Sequence, residues 1–236
     1  MTPDIRKIKL YLTEPHPCSY LEDREATTAF IDPRAEVGSR LYDYLSQLGF
    51  RRSGRYLYIP RCASCHDCIP VRIPVARFTP NRQQRRCAKR NADLVVTPVT
   101  RVDKQEHYEI YQKYIATRHR DGDMFPVSVG QYDDFIGAQR DSTRYLEFRL
   151  DGALVCCAVV DWLQSGLSAI YTYFDPDLDR RSLGTFAILK QIELTEEAGL
   201  EYVYLGYWIR DSDKMRYKSG FKPKQLYIEN RWLEVG

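Results

Sequence analysis

The sequence predicts an α+β protein in which a small cysteine-containing unit, residues 1–98, packs on a second unit, residues 99–236. Three observations lead there. Apolar residues recur every two positions in some segments and about every 3.6 in others, so strands and helices both occur and alternate along the chain. Between residues 167 and 207 a strand, a helix and a strand follow one another, which requires a right-handed parallel crossover inside an otherwise antiparallel sheet. Neither an internal repeat nor a low-complexity linker interrupts the chain, so the two units form one body.

Taken in order, residues 35–48 place Val37, Leu41, Tyr44, Leu45 and Leu48 on one helical face, with Gly49 as the stop. Tyr56 to Ile59 reads as a strand that leads into Pro60 and a cysteine cluster. Ile69 to Val75 alternates, but its prolines confine it to an edge or irregular strand. Thr79 and Pro80 read as N-cap and first residue of a basic helix over 81–91, and a short strand follows at 94–96. In the second unit, helices are expected at 103–119 and 128–138, then strands at 143–150, 153–161 and 167–174. Asp151-Gly152 joins the first two of these strands as a hairpin turn. Residues 182–198 form a helix with Leu183, Phe186, Ala187, Leu189, Ile192 and Leu194 apolar, ended by Gly199, and 202–207 is the strand that completes the crossover.

The 236 residues, 44% of them apolar, suffice for one large or two small cores. The longest apolar stretch, Ala153 to Val160, has the length of a buried strand and not of a membrane span, and Met1 to Leu10 lacks the apolar core of a signal peptide. A cytoplasmic protein is expected, its seven cysteines reduced. The net charge of +3 by itself argues against a nucleic-acid binder. It hides an asymmetry. Eleven basic residues against one acid lie between Arg51 and Arg90, a local excess of ten positive charges, and the rest of the chain carries a net seven negative charges.

Four constellations could carry chemistry. Cys62-Ala-Ser-Cys65-His-Asp-Cys68 sets three thiols at three-residue intervals, the local half of a zinc or iron–sulfur knuckle, for which Cys18 or Cys87 would supply a fourth ligand. The same thiols also suit a reduced, partly buried turn. Arg82, Arg85, Arg86 and Lys89 recur at helical spacing on one face, where a phosphate backbone answers their mutual repulsion. Arg181-Ser-Leu-Gly184-Thr resembles the loop by which GNAT acetyltransferases hold the coenzyme A pyrophosphate at a helix N-terminus, but departs from it at Phe186. Tyr202 to Pro223 interleaves aromatic rings with Lys214, Arg216, Lys218 and Lys222, a composition suited to a single-stranded nucleic-acid end. Tyr204 and Tyr207 are expected in the core, Lys214, Tyr217 and Lys218 at a surface or site.

Cys18-Ser-Tyr-Leu21, Gly49-Phe-Arg-Arg-Ser-Gly-Arg-Tyr56, the Cys62 to Val75 segment, Gln84-Arg-Arg-Cys-Ala-Lys-Arg-Asn91, Tyr173-Phe-Asp-Pro176, Ser182-Leu-Gly184 and Tyr204-Leu-Gly-Tyr-Trp-Ile209 together resemble the aminoacyl-tRNA–protein transferases over nearly the whole chain. Within them the chain is most like the bacterial aspartate/glutamate leucyltransferases. The resemblance implies a GNAT-like C-terminal unit and transfer of leucine from leucyl-tRNA to proteins with N-terminal Asp or Glu, marking them for N-degron degradation. It implies no required cofactor and neither membrane nor DNA as partner. It also explains the altered loop, because the donor is a charged tRNA and not coenzyme A. Arginyl-tRNA as donor, a coenzyme A-dependent acyltransferase and a non-catalytic zinc-knuckle RNA-binding module are the alternatives.

On this resemblance Arg72 and Arg77 are expected to hold the acceptor carboxylate, since Arg offers it two parallel hydrogen bonds. Tyr173, Asp175 and Lys218 are expected at the reaction centre, although Asp175 equally suits the cap of a turn with Pro176. Arg82, Arg85, Arg86, Lys89, Ser182, Gly184 and Lys214 are assigned to tRNA. His119 could serve as base or complement a helix C-terminus. The metal set would be Cys62, Cys65, Cys68 and Cys18. Eukaryotic relatives carry C-x-x-C where this chain has Cys18-Ser-Tyr-Leu21, and adjacent cysteines where it has Asp67-Cys68, so a four-cysteine cluster does not carry over.

Overall fold

Alternation along the N-terminal segment buries Ala29, Ile31, Leu57 and Ile59 and turns their neighbours outward, and this pattern builds a small sheet. In the computed structural model, which describes residues 8–120, 122 and 124–235, the segment comprises β1 (Leu10–Leu12), β2 (His16–Pro17), β3 (Glu25–Ala26), β4 (Thr28–Ile31), helix α1 (Ser39–Gln47), β5 (Arg51–Ser53) and β6 (Tyr56–Pro60). The antiparallel sheet runs β1-β4-β6-β5, with β2 and β3 as a separate ribbon. Tyr42 and Leu45 of α1 close its core. Helix α1 starts later than the periodicity indicates, because Ala35 and Val37 pack on this core from irregular chain.

The remaining elements are β7 (Ile69–Pro74), α2 (Arg82–Arg90), β8 (Val95–Val99), α3 (Lys104–Arg118), α4 (Val129–Phe135), β9 (Thr143–Leu150), β10 (Ala153–Trp162), β11 (Gly166–Phe174), α5 (Leu183–Glu197), β12 (Tyr202–Trp208), β13 (Lys224–Ile228) and β14 (Arg231–Val235). They form an eight-stranded sheet in the order β14-β13-β7-β12-β11-β10-β9-β8. Successive residues of β10 serve opposite faces. Cys156, Ala158 and Val160 pack beneath α5, and Cys157 and Val159 beneath α3 and α4. The α+β, two-unit expectation holds, and among the described residues no helix is long and apolar enough to cross a membrane.

Two expectations about the first unit change. Strand β7 is interior, between β12 and β13, and not at an edge. Its prolines are tolerated because Pro70 lies beside an irregularity in β12, Pro74 is the last paired residue, and β13 bonds only opposite Val71 and Arg72. The expected division at residue 98 falls inside β8, which pairs with β9, so the N-terminal segment donates β7, α2 and β8 to the large sheet. A buried ion pair also joins the units. Arg52 Nε and Nη2 grip Asp161 at 2.6 and 3.0 Å, and Tyr42 and Thr143 hydroxyls donate to the same carboxylate at 2.6 Å each.

The crossover β11–α5–β12 is parallel as expected, but only Gly166 to Ser168 pair with Tyr202 to Tyr204. Beyond that the two strands part, and Ala169 to Thr172 become half-buried where Gly166 to Ser168 were buried. Strand β12 turns away at Gly206, whose φ of 81° favours glycine. The split faces a 3-10 segment, Asp213–Gly220.

Candidate acyl-transfer site

The basic helix begins two residues later than expected. Asn81, not Thr79, is its N-cap, accepting from the Gln84 amide at 2.9 Å while Gln84 returns a bond to the Asn81 amide, a reciprocal box. Gln84 and Cys87 are buried, which leaves Arg82, Arg85, Arg86 and Lys89 exposed on the opposite side. Among the described residues none of the four has an acidic partner within ion-pair distance. Burial of Cys87 and Asn91 seats the C-terminal end of α2 against the start of α5: Asn91 Nδ2 donates to the Arg181 carbonyl at 2.8 Å, and the Cys87 thiol lies 3.5 Å from the Ser182 carbonyl. Ser182 does not cap α5 as a side chain. Its φ of 55° places it in the left-handed region, and its side chain makes no bond to the first-turn amides of α5. The C-terminal end of α2 thus adjoins the first turn of α5 and Gly184, and the amides and dipole of a helix start favour an anion.

The other end of α2 is tied to the 3-10 segment through Gln84 Nε2 and the Gly220 carbonyl at 3.1 Å. That segment exposes Lys214 and turns Lys218 inward, 4% exposed. Lys218 Nζ donates to the Tyr207 carbonyl at 2.5 Å, just past the Gly206 turn. Burial lowers the Lys218 amine from its ordinary value to about 7, the Arg51 guanidinium lowers it further and the Cys68 thiol opposes both. Arg51 is also 4% exposed, yet among the described residues none of its three guanidinium nitrogens has a hydrogen-bond partner. Its carbon stands 5.1 Å from the Tyr204 ring centroid, and the other groups that act on its charge are Tyr207, Tyr42 and Tyr58. Tyr58 and Tyr207 rings meet at 6.0 Å, and burial raises the pKa of both hydroxyls, as it does that of Tyr20, so all three stay protonated.

Of Tyr173, Asp175 and Lys218, the residues expected together at the reaction centre, only Lys218 stands beside Arg51 and the Tyr207 carbonyl. Tyr173 is 0% exposed, because alternation along β11 points it beneath α3. There its hydroxyl meets His107 Nδ1 at 2.6 Å, and His107 Nε2 meets Glu147 at 3.0 Å. Asp175 is committed to its turn, accepting from the Asp177 amide at 3.1 Å and from Lys113 Nζ at 2.6 Å. Neither Arg72 nor Arg77 is placed to receive a carboxylate. Arg72 is stacked between Tyr202, 3.5 Å from the ring centroid, and Trp232, 4.3 Å, and its Nε donates to Gln225. Arg77 is paired with Glu234 at the surface. His119 sits at the C-cap of α3, the structural role. Tyr204 and Tyr207 are buried as expected, and Tyr217 is exposed.

Cys18, Cys62 and Cys65 all lie near enough to Cys68 to help burial push its thiol up to about 12. Among the described residues, however, no three His, Cys, Asp or Glu side chains are arranged to hold a metal ion. Cys62 Sγ turns to the Thr27 carbonyl and Cys65 Sγ to Asp67 instead. As arranged these thiols do not fit an ion, and no step below is routed through one. They line, with Leu45, Leu48, Phe50, Ile59, Ile69 and Tyr207, a cavity of about 750 Å³ between the two units.

Sequence reasoning missed Arg51 and His107. Arg51 carried a usable signal: in a strand, the adjacent Arg51 and Arg52 must point to opposite faces, so a doublet inside a half-buried sheet sends at least one guanidinium inward.

The family described as "Arginine-tRNA-protein transferase, N terminus" matches residues 16–86, and "Arginine-tRNA-protein transferase, C terminus" matches residues 106–228. A protein of Saccharophagus degradans named aspartate/glutamate leucyltransferase is 52% identical over 98% of both chains, and one of Teredinibacter turnerae with the same name is 51% identical over 98% of this chain and 96% of its own. Among solved structures the crystal structure of FemX superposes with a TM-score of 0.50 at 12% identity, covering 85% of this chain and 72% of that one, which is a likeness of fold. The chain belongs to the arginine-tRNA-protein transferase family of aminoacyl-tRNA–protein transferases.

Proposed function

We propose that this protein transfers leucine from leucyl-tRNA to the α-amine of proteins beginning with Asp or Glu, and so marks them in the cytoplasm for N-degron degradation. The observation that carries the reading is one continuous assembly: phosphate-holding groups on α2 and at the start of α5, joined through the Gly220 carbonyl to the segment that carries Lys218 and closes over Arg51. The relatives named above support leucine over arginine.

The chemistry needs little more than placement. The acceptor nitrogen attacks the ester carbonyl, a tetrahedral carbon forms, and the bond to the ribose oxygen breaks, the amine's proton passing to that leaving hydroxyl. The ester is already activated, so no cofactor is required. Holding two substrates together supplies on the order of 7–11 kcal/mol in the best intramolecular cases. An α-amine of pKa about 7.7–8.0 is roughly one-tenth to one-fifth neutral at pH 7, enough for attack without a strong base. Protonated tyrosine hydroxyls near Cys68 and Arg51, those of Tyr20 and Tyr58, can donate to the oxyanion.

Mass spectrometry of a peptide beginning with Asp, incubated with leucyl-tRNA and the protein, should show the addition of one leucine residue at the N-terminus. No addition with leucyl-tRNA, but addition with arginyl-tRNA, would replace the donor assignment.

A further inference from the structure

Two arginines stand side by side on β5 and meet opposite fates. Arg52 points to the interface between the units and finds a complete set of acceptors, namely both oxygens of Asp161 and the carbonyls of Gly54 and Ala138. Arg51, one residue earlier, points to the opposite face of the small sheet and finds none among the described residues. A guanidinium cannot shed its proton in a protein, so burial at 4% exposure leaves a permanent charge without an answering anion. Such an arrangement costs several kcal/mol unless something else neutralises it.

The surroundings sharpen the need. Lys218 brings a second cation to the same place, and the groups that act on these two charges are tyrosines and Cys68, none of them a carboxylate. The Tyr204 ring centroid lies 5.1 Å from the guanidinium carbon and Tyr58 is the cross-strand partner of Arg51; the Tyr58 hydroxyl, held protonated by burial, is a donor to an anion, whereas that of Tyr207 already donates to the Gly49 carbonyl. Exposed Tyr20 is near enough to act on Tyr58 and Tyr207, and exposed Tyr217 stands beside Lys218.

We infer that Arg51 is the group that receives the side-chain carboxylate of the acceptor's N-terminal residue, with Lys218 contributing to the positive potential. This rests on the transfer reaction proposed above. The planar guanidinium fork matches a carboxylate in two parallel hydrogen bonds. A backbone phosphate of tRNA fits less well, since it carries a ribose on either side and the exposed cations of α2 already suit it. The assignment displaces Arg72 and Arg77, whose guanidinium groups are stacked and paired elsewhere.

The test compares transfer of leucine to peptides that begin with Asp and with Asn, which differ in charge but hardly in shape. Wild-type protein should prefer Asp by at least about 100-fold in kcat/KM, the loss expected when a buried cation is left unanswered. Arg51→Met should reduce that preference to within about threefold while leucyl-tRNA binding in a filter assay stays unchanged; Arg51→Lys should keep a reduced preference. Circular dichroism establishes that Arg51→Met is folded, and should it not be, Arg51→Lys carries the comparison, with an undiminished preference counting against the inference. Retained 100-fold preference in folded Arg51→Met overturns the assignment. So does loss of leucyl-tRNA binding with the preference intact, which would give Arg51 to the tRNA. No transfer to the Asp peptide by wild-type protein refutes the functional reading itself and not the assignment of Arg51 within it.

Discussion

Lys218→Met should make the protein more stable at low pH and less responsive to pH. The buried amine has its pKa lowered from 10.5 to about 7, first by burial and then by Arg51. Three and a half units at 1.36 kcal/mol each set a ceiling of about 5 kcal/mol on the penalty for burying the charged form. The sign follows from proton counting. Below pH 7 both folded and unfolded chains hold the proton, and the folded chain bears the full penalty. Between pH 7 and 10.5 the unfolded chain holds more protons than the folded one, so stability rises with pH. Integrated from pH 6 to 9, this single group should raise wild-type stability relative to the variant by about 3 kcal/mol. Losing the bond to the Tyr207 carbonyl subtracts about 1–3 kcal/mol from the variant's gain at every pH and leaves the slope intact. Urea unfolding of both proteins at pH 6, 7.5 and 9, under reductant and followed by tryptophan fluorescence, reads the difference directly. Parallel profiles, separated by a constant to within about 0.5 kcal/mol, would show that Lys218 is hydrated and refute the reasoning.

Replacing Arg82, Arg85, Arg86 and Lys89 by Ala should flatten the dependence of log K for tRNA on log salt by about 3, from roughly 0.7–0.9 per phosphate contact; an unchanged slope in filter binding would remove α2 from the tRNA surface. Asp161→Asn strips the charge that answers Arg52 at a fully buried site and should cost about 3–5 kcal/mol in urea unfolding, because a buried guanidinium is left unpaired. Tyr173→Phe removes a hydroxyl from His107 in a sealed core. It should cost about 1–3 kcal/mol of stability and leave kcat/KM for leucine transfer within a few-fold of wild type; a loss of 100-fold or more in folded protein would return Tyr173 to the reaction centre.

What was legible in the sequence was set by local patterns. The crossover followed from the change of period between β11, α5 and β12, and the basic face of α2 from residues three and four apart. The hairpin turn at Asp151 and Gly152 appears with φ of 49° and 88°, as that dipeptide favours. What was illegible depends on distant neighbours. The prolines of β7 suit an interior position only because of where β12 and β13 happen to bond. Ser182 loses its capping role to a left-handed turn fixed by packing against α2. Tyr173 depends on which side of β11 faces the core beneath α3 and α4, and residue type does not reveal that. The short strands β1 to β4 and the hairpin of β13 and β14 have too few alternating positions to register.

The central claim, that an amino acid passes from tRNA to an acidic N-terminus and that an uncharged donor is chosen, is tested most directly by one crossed assay. Purified protein is incubated with radiolabelled leucyl-tRNA or arginyl-tRNA and with peptides beginning with Asp, Glu or Ala, and label on peptide is counted. Label should move from leucyl-tRNA to the Asp and Glu peptides and to no other combination. Label on the Ala peptide, or on none of the three, would contradict the account.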